Sequence, residues 1–176
     1  MKNNKGFSLI ELIVVVAIMA IMGSFIFFSF GLMTGQDARK CASNISTAMD
    51  KEKNYALAKS TEVDCYVVIS LTSDGYYAEY FVPDKAVGGI PVSMDKQQIG
   101  KKSVLVSCYS GGGSNLVGTM STGSELKIVY NRVSGAFKEV SLNGTAGIDK
   151  IKIDKGRTYE IELFTATGKH TLERTD

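Results

Sequence analysis

Tryptophan is absent from the 176 residues, histidine occurs once and proline twice. A single histidine, His170, leaves little for imidazole chemistry. No serine or cysteine pattern around it resembles a nucleophile motif, and a solvated side chain in a turn-strand region is expected. Cysteine is almost as scarce. Cys41, Cys65 and Cys108 show no C-x-x-C spacing, which argues against structural zinc. An odd count leaves at least one thiol unpaired within a monomer. Cys65 and Cys108 fall in predicted strands and are placed to bridge in an oxidising exterior; the alternative is three small buried thiols. An excess of either charge is missing too. Twenty Lys and Arg against eighteen Asp and Glu leave +2, too little for a bulk electrostatic partner. From Asp149 onward, six basic residues face six acidic ones. Nucleic acid is therefore not the expected partner, although folding can separate the signs.

Phosphate-loop and calcium-loop patterns are missing as well. Gly111-Gly112-Gly113 lacks the Gly-Lys-Ser/Thr ending that would cradle a phosphate, and Asp74, Asp149 and Asp154 do not follow calcium-loop spacing. No catalytic residue, metal or cofactor is assigned. Tyr76, Tyr77 and Tyr80 are of a type that stacks bases, but tyrosine is common in sheets and a strand is the expected setting.

What the chain does have is one long apolar run. From Phe7 to Met33 the only ionisable side chain is Glu11. As a helix, that stretch reaches roughly 40 Å, more than the ~30 Å hydrocarbon core of a bilayer. It follows a short leader, Met1 to Gly6, with Lys2 and Lys5. A secretory signal places its small-residue cleavage site after the apolar segment. Here the small residue, Gly6, precedes it, so a cut there leaves the apolar segment on the mature chain. Loss of the two leader lysines takes the side-chain sum from +2 to zero. Glu11 is costly in apolar surroundings unless paired, protonated or near the interface.

Lys5-Gly6-Phe7-Ser8-Leu9-Ile10-Glu11-Leu12 resembles the prepilin processing motif of type IV pilins and pseudopilins. The resemblance implies cleavage after Gly6 by a prepilin peptidase, N-methylation of Phe7, and a role for Glu11 in filament assembly. On electrostatic grounds the new Phe7 ammonium of a neighbouring subunit, displaced along the helix axis, is the candidate partner for the Glu11 carboxylate. It covers about the first thirty residues. Where many members carry proline this chain has Phe28, so the kink that proline would give is absent or softened.

Residues 34–59 read as an amphipathic helix with Ala38, Cys41, Ala42, Ile45, Ala48, Met49, Tyr55 and Ala56 on one face. Gly35 is its weak spot, costing about 1 kcal/mol relative to alanine. After Ser60 the period becomes alternating. Strands are predicted at 63–71, 76–82, 103–109, 125–131, 136–142, 148–154 and 158–164, with a last one near 170–173. Residues 83–102 and 110–124 read as loops. In the 148–164 pair, Ile151, Ile153, Tyr159, Ile161 and Leu163 share one face; Lys150, Lys152, Glu160 and Glu162 share the other.

The expected fold is α+β: one long N-terminal helix, its first half transmembrane, packed on a curved antiparallel sheet, similar to the pilin fold. The pattern loosely resembles the pseudopilin-H and FimT-like branch. The divisions are a leader (1–6), a transmembrane or filament-core half-helix (7–33), a sheet-packing half-helix (34–59) and a β domain (60–176). The resemblance implies a non-enzymatic structural subunit of a type IV pilus or pseudopilus, held in the cell membrane before assembly and extracellular afterwards. Its partners would be prepilin peptidase, other pilin subunits and the membrane assembly platform. A minor pilin acting as an adhesion or DNA-uptake module is the alternative.

Overall fold

The computed structural model describes residues 9–58, 64–83 and 90–175, and the side chains of 24–34 lie outside that description. The helix α1 runs Leu9–Ala58, fifty residues and about 75 Å at 1.5 Å per residue. Its predicted end at Lys59 and the processing residues Gly6 and Phe7 lie outside the described residues. Among the described residues no helix is long and apolar enough to cross a membrane. The predicted span, 7–33, is thus not found there. Its described side chains cover fifteen residues, 9–23, short of the roughly 20 that a crossing needs.

The second half of α1 buries the stripe that its periodicity predicts: Ala38, Cys41, Ala42, Ile45, Ala48, Met49 and Ala56, with Tyr55 partly buried against them. The helix passes through Gly35 unbroken. A β-carbon at Gly35 would strike the Arg157 side chain. The glycine that reads as a helix weak spot is therefore a place where a side chain of the domain lies close against the helix.

Among the described residues, strands β1 Tyr66–Leu71, β2 Tyr76–Pro83 and β3 Pro91–Gly100 come first, then β4 Leu105–Ser110 and β5 Asn115–Thr119. They are followed by β6 Glu125–Tyr130, β7 Phe137–Leu142 and β8 Thr145–Ala146, then β9 Lys150–Asp154, β10 Thr158–Phe164 and β11 Lys169–Arg174. They form two sheets, not the single curved sheet expected. One has the order β3-β2-β1-β6-β7-β8 and the other β11-β10-β9-β4-β5. Every pairing is antiparallel. Each sheet has an apolar face to bury and α1 packs against strands of both, so three layers close on one core.

Two further expectations are corrected. Within the stretch read as irregular, 83–102, Pro91 to Gly100 form the edge strand β3. It shifts register twice against β2 and is mostly exposed, so it lacks the alternation that marks a half-buried strand. Within the 110–124 loop, β5 hairpins back on β4 across three glycines with φ of 67°, 71° and 79°. The β9–β10 pair forms with the predicted apolar and charged faces, and on the charged one Glu160 opposes Lys152 and Glu162 opposes Lys150. Lys150 bridges diagonally to Glu160 at 3.1 Å.

The β6–β7 turn shows the local chemistry that sets such hairpins. The Asn131 side-chain oxygen accepts from the Val133 and Ser134 amides at 2.9 and 3.2 Å, and Gly135 takes φ 67°.

Candidate functional site

Along the described amino-terminal part of α1, Leu9, Ile10, Leu12, Ile13, Val14, Val15, Val16, Ile18, Met19, Ile21 and Met22 are all exposed. Glu11 stands in the first turn of the described helix and is exposed as well. Among the described residues, this face stays open to solvent, and a contiguous apolar surface of this kind marks a site of interaction.

The β domain grips only the carboxyl-terminal part of the helix. Asp37 receives Lys155 from the β9–β10 turn at 2.7 Å and Lys101, just after β3, at 2.9 Å. One carboxylate thus ties α1 to both sheets. The hydrogen bonds from Lys155 and then Lys101 hold its pKa below the ordinary carboxylate value. Lys51 reaches Asp95 of β3 at 2.8 Å and lies 4.0 Å from the Tyr80 ring centroid. The Asn44 amide donates to the Ile99 carbonyl at 2.9 Å. Lys53 donates to the carbonyls of Thr167 and Gly168 at 3.2 and 3.0 Å. The sequence alone does not pair these helix charges, because their partners lie 44 to 118 residues away.

A cleft of about 550 Å³ opens between α1 and the β10–β11 hairpin, lined by Ser46, Asp50, Lys53, Phe164 and His170 among others. His170 is not the solvated side chain expected: only 7 % of it is exposed. Its Nε2 lies 2.7 Å from Ser46 Oγ and 3.9 Å from Asp50 Oδ2. Burial depresses its pKa, opposed by Asp50 and assisted by Lys53. Serine, histidine and aspartate together suggest a nucleophile relay, but a relay needs the two partners on opposite ring nitrogens. Here both face Nε2. The arrangement fastens the hairpin to the helix.

The remaining predicted residues have structural roles. Cys41, Cys65 and Cys108 are all buried. Asp149 accepts from the amides of Gly112 and Gly113 at 2.6 and 3.1 Å, so it clamps the glycine turn. Asp154 accepts from the Thr158 hydroxyl at 2.9 Å. Tyr76 is buried, donating to the Val104 carbonyl at 2.9 Å, and Tyr80 is buried beneath Lys51. Among the described residues no group of His, Cys, Asp and Glu is arranged to hold a metal.

Sequence reasoning passed over one residue altogether. Glu52 is completely buried. Its place in the series Met49, Glu52, Ala56 on the apolar stripe is the signal that would have found it.

Compared with known families, residues 1–27 match the prokaryotic N-terminal methylation motif. No curated protein and no solved structure matches the chain. The amino terminus therefore carries a type IV pilin-like prepilin motif, and the matched segment takes in Gly6, Phe7 and Glu11.

Proposed function

We propose that this protein is a structural subunit of a type IV pilus or pseudopilus. A prepilin peptidase cuts after Gly6, and the new amino terminus on Phe7 is methylated. The apolar half of α1 is held in the cell membrane, with the assembly platform beside it, and then moves into the core of a helical filament among other pilin subunits. Glu11 pairs there with the amino terminus of a neighbour and selects the register between subunits.

One observation carries this reading. The methylation motif at 1–27 runs into a continuous helix whose first part exposes apolar side chains and whose second part is wired to two sheets. Such a helix needs an apolar environment outside its own domain, and lipid or a bundle of like helices supplies one. The test is the mass and amino-terminal sequence of the protein from its native membranes, for wild type and Glu11→Ala. The expected chain begins at Phe7 and is about 14 Da heavier than the unmodified one. Glu11→Ala is expected to be processed normally and to yield no filaments. A chain beginning at Met1 in cells with active prepilin peptidase would overturn the reading, and normal filaments from the variant would overturn the role of Glu11.

A further inference from the structure

Glu52 and Tyr130 present two kinds of orphan in one core. Both carboxyl oxygens of Glu52 and the Tyr130 hydroxyl are buried with no hydrogen-bond partner among the described residues. Glu52 is flanked on the buried face of α1 by Ala48, Met49 and Ala56. Tyr130, on β6, packs its ring 4.9 Å from that of Phe137. An unpartnered buried carboxylate is among the costliest groups a core can hold. The neighbouring cations are otherwise engaged: Lys51 with Asp95 and the Tyr80 ring, Lys53 with the Thr167 and Gly168 carbonyls.

We propose that Glu52 and Tyr130 form a proton-operated latch between α1 and the six-stranded sheet: a proton on Glu52 seats the helix, and its loss lets the segment around Glu52 lift from β6.

The electrostatics support this. Burial raises the Glu52 carboxyl from 4.5 to about 7, with Lys51 pulling weakly the other way. Lys51 on α1 acts on it, and it acts in turn on Tyr80 of β2 and Tyr130 of β6; Asp95 of β3 and Tyr55 act on the same Tyr80, Asp50 acts on the same Tyr130, and Asp50 and Lys53 act on His170 of β11. The carboxylate in turn helps raise Tyr80 and Tyr130. A raised folded-state pKa means that the seated form binds the extra proton. The seated state loses ground as pH climbs from about 4.5 to about 7 and levels off above that. His170 works the other way. Its pKa is depressed on folding, so its share of stability is lost as pH falls below the ordinary imidazole value.

Hydrogen exchange on the full chain in detergent micelles, from pH 5 to 8 and normalised for intrinsic exchange, tests the latch in wild type and Glu52→Gln. Opening of the amides around 48–56 and in β6 is expected to rise on the order of a hundredfold in wild type and not to rise in the variant. The β9–β10 amides stay flat in both. Identical pH profiles in the two proteins, or a rise spread evenly over the whole domain, would overturn the proposal. Should Glu52→Gln not fold, the carboxyl resonance of Glu52 is followed in wild type by carbon-detected NMR. A midpoint near 7 supports the latch; one in the ordinary glutamate range removes it.

Discussion

At Gly168 a single methyl group decides whether two turns can touch. The residue has φ 60°, and a β-carbon there would overlap the carbonyl oxygen of Gly135 in the β6–β7 turn. The obstacle is backbone, which cannot swing aside as a side chain does. Gly168→Ala is expected to destabilise the domain by about 2 kcal/mol or more, read as a lower urea midpoint with unchanged slope. Gly112, with φ 71° but open space at its β-carbon position, makes a milder comparison. Neither constraint was legible in the sequence, where both glycines read as turn residues. Glu52 was legible in principle, because its spacing places it on the apolar stripe. Its charge hid it among the solvated residues.

At the scale of elements, the β9–β10 hairpin separates two kinds of contribution. Ile161 is fully buried on its inner face, and Lys150 bridges Glu160 on its outer face. Ile161→Ala is expected to cost about 3 kcal/mol through lost burial and the cavity left behind. Lys150→Ala is expected to cost less than about 1 kcal/mol. Comparable losses in chemical denaturation would mean that the charged face is part of the core. This hairpin was readable because alternation, turn residues and opposed charges all agree. β3 was not readable, since an exposed edge strand bounded by Pro91 and Gly100 shows no period at all. The split into two sheets was equally hidden. Local pattern specifies a strand and its buried face, but the sheet that it joins depends on pairings far away in the chain, such as β1 with β6 and β4 with β9.

For the whole molecule, the three thiols report on how cooperatively the layers part. Burial pushes Cys41 and Cys108 up to about 12, so little thiolate exists near neutral pH. Cys41 lies on α1, Cys108 on β4 of the five-stranded sheet, and Cys65 just before β1 of the six-stranded one. Alkylation by iodoacetamide, followed by mass, is expected to leave all three unmodified in the folded protein and to label all three together through the denaturant transition. Early labelling of one alone would mean that its layer opens separately. The general plan of helix, then strands, was legible in the sequence because it follows from where the hydrophobic period changes. How the layers lock together was not, since it depends on ties such as Lys155 to Asp37 across 118 residues.

Those ties also decide how the molecule bears load. Tension applied along the exposed end of α1 reaches the domain as shear, and at Asp37 it meets one tether to each sheet, side by side. The two are placed to share the force. A pull that peels the helix from its other end meets the Lys53, Lys51 and Asn44 anchors one after another, each bearing the whole force in turn. A directional response is the expected consequence, stiffer to a pull on the amino-terminal end of α1 than to one that peels the helix from its carboxyl-terminal end, and single-molecule force measurements in the two geometries check it.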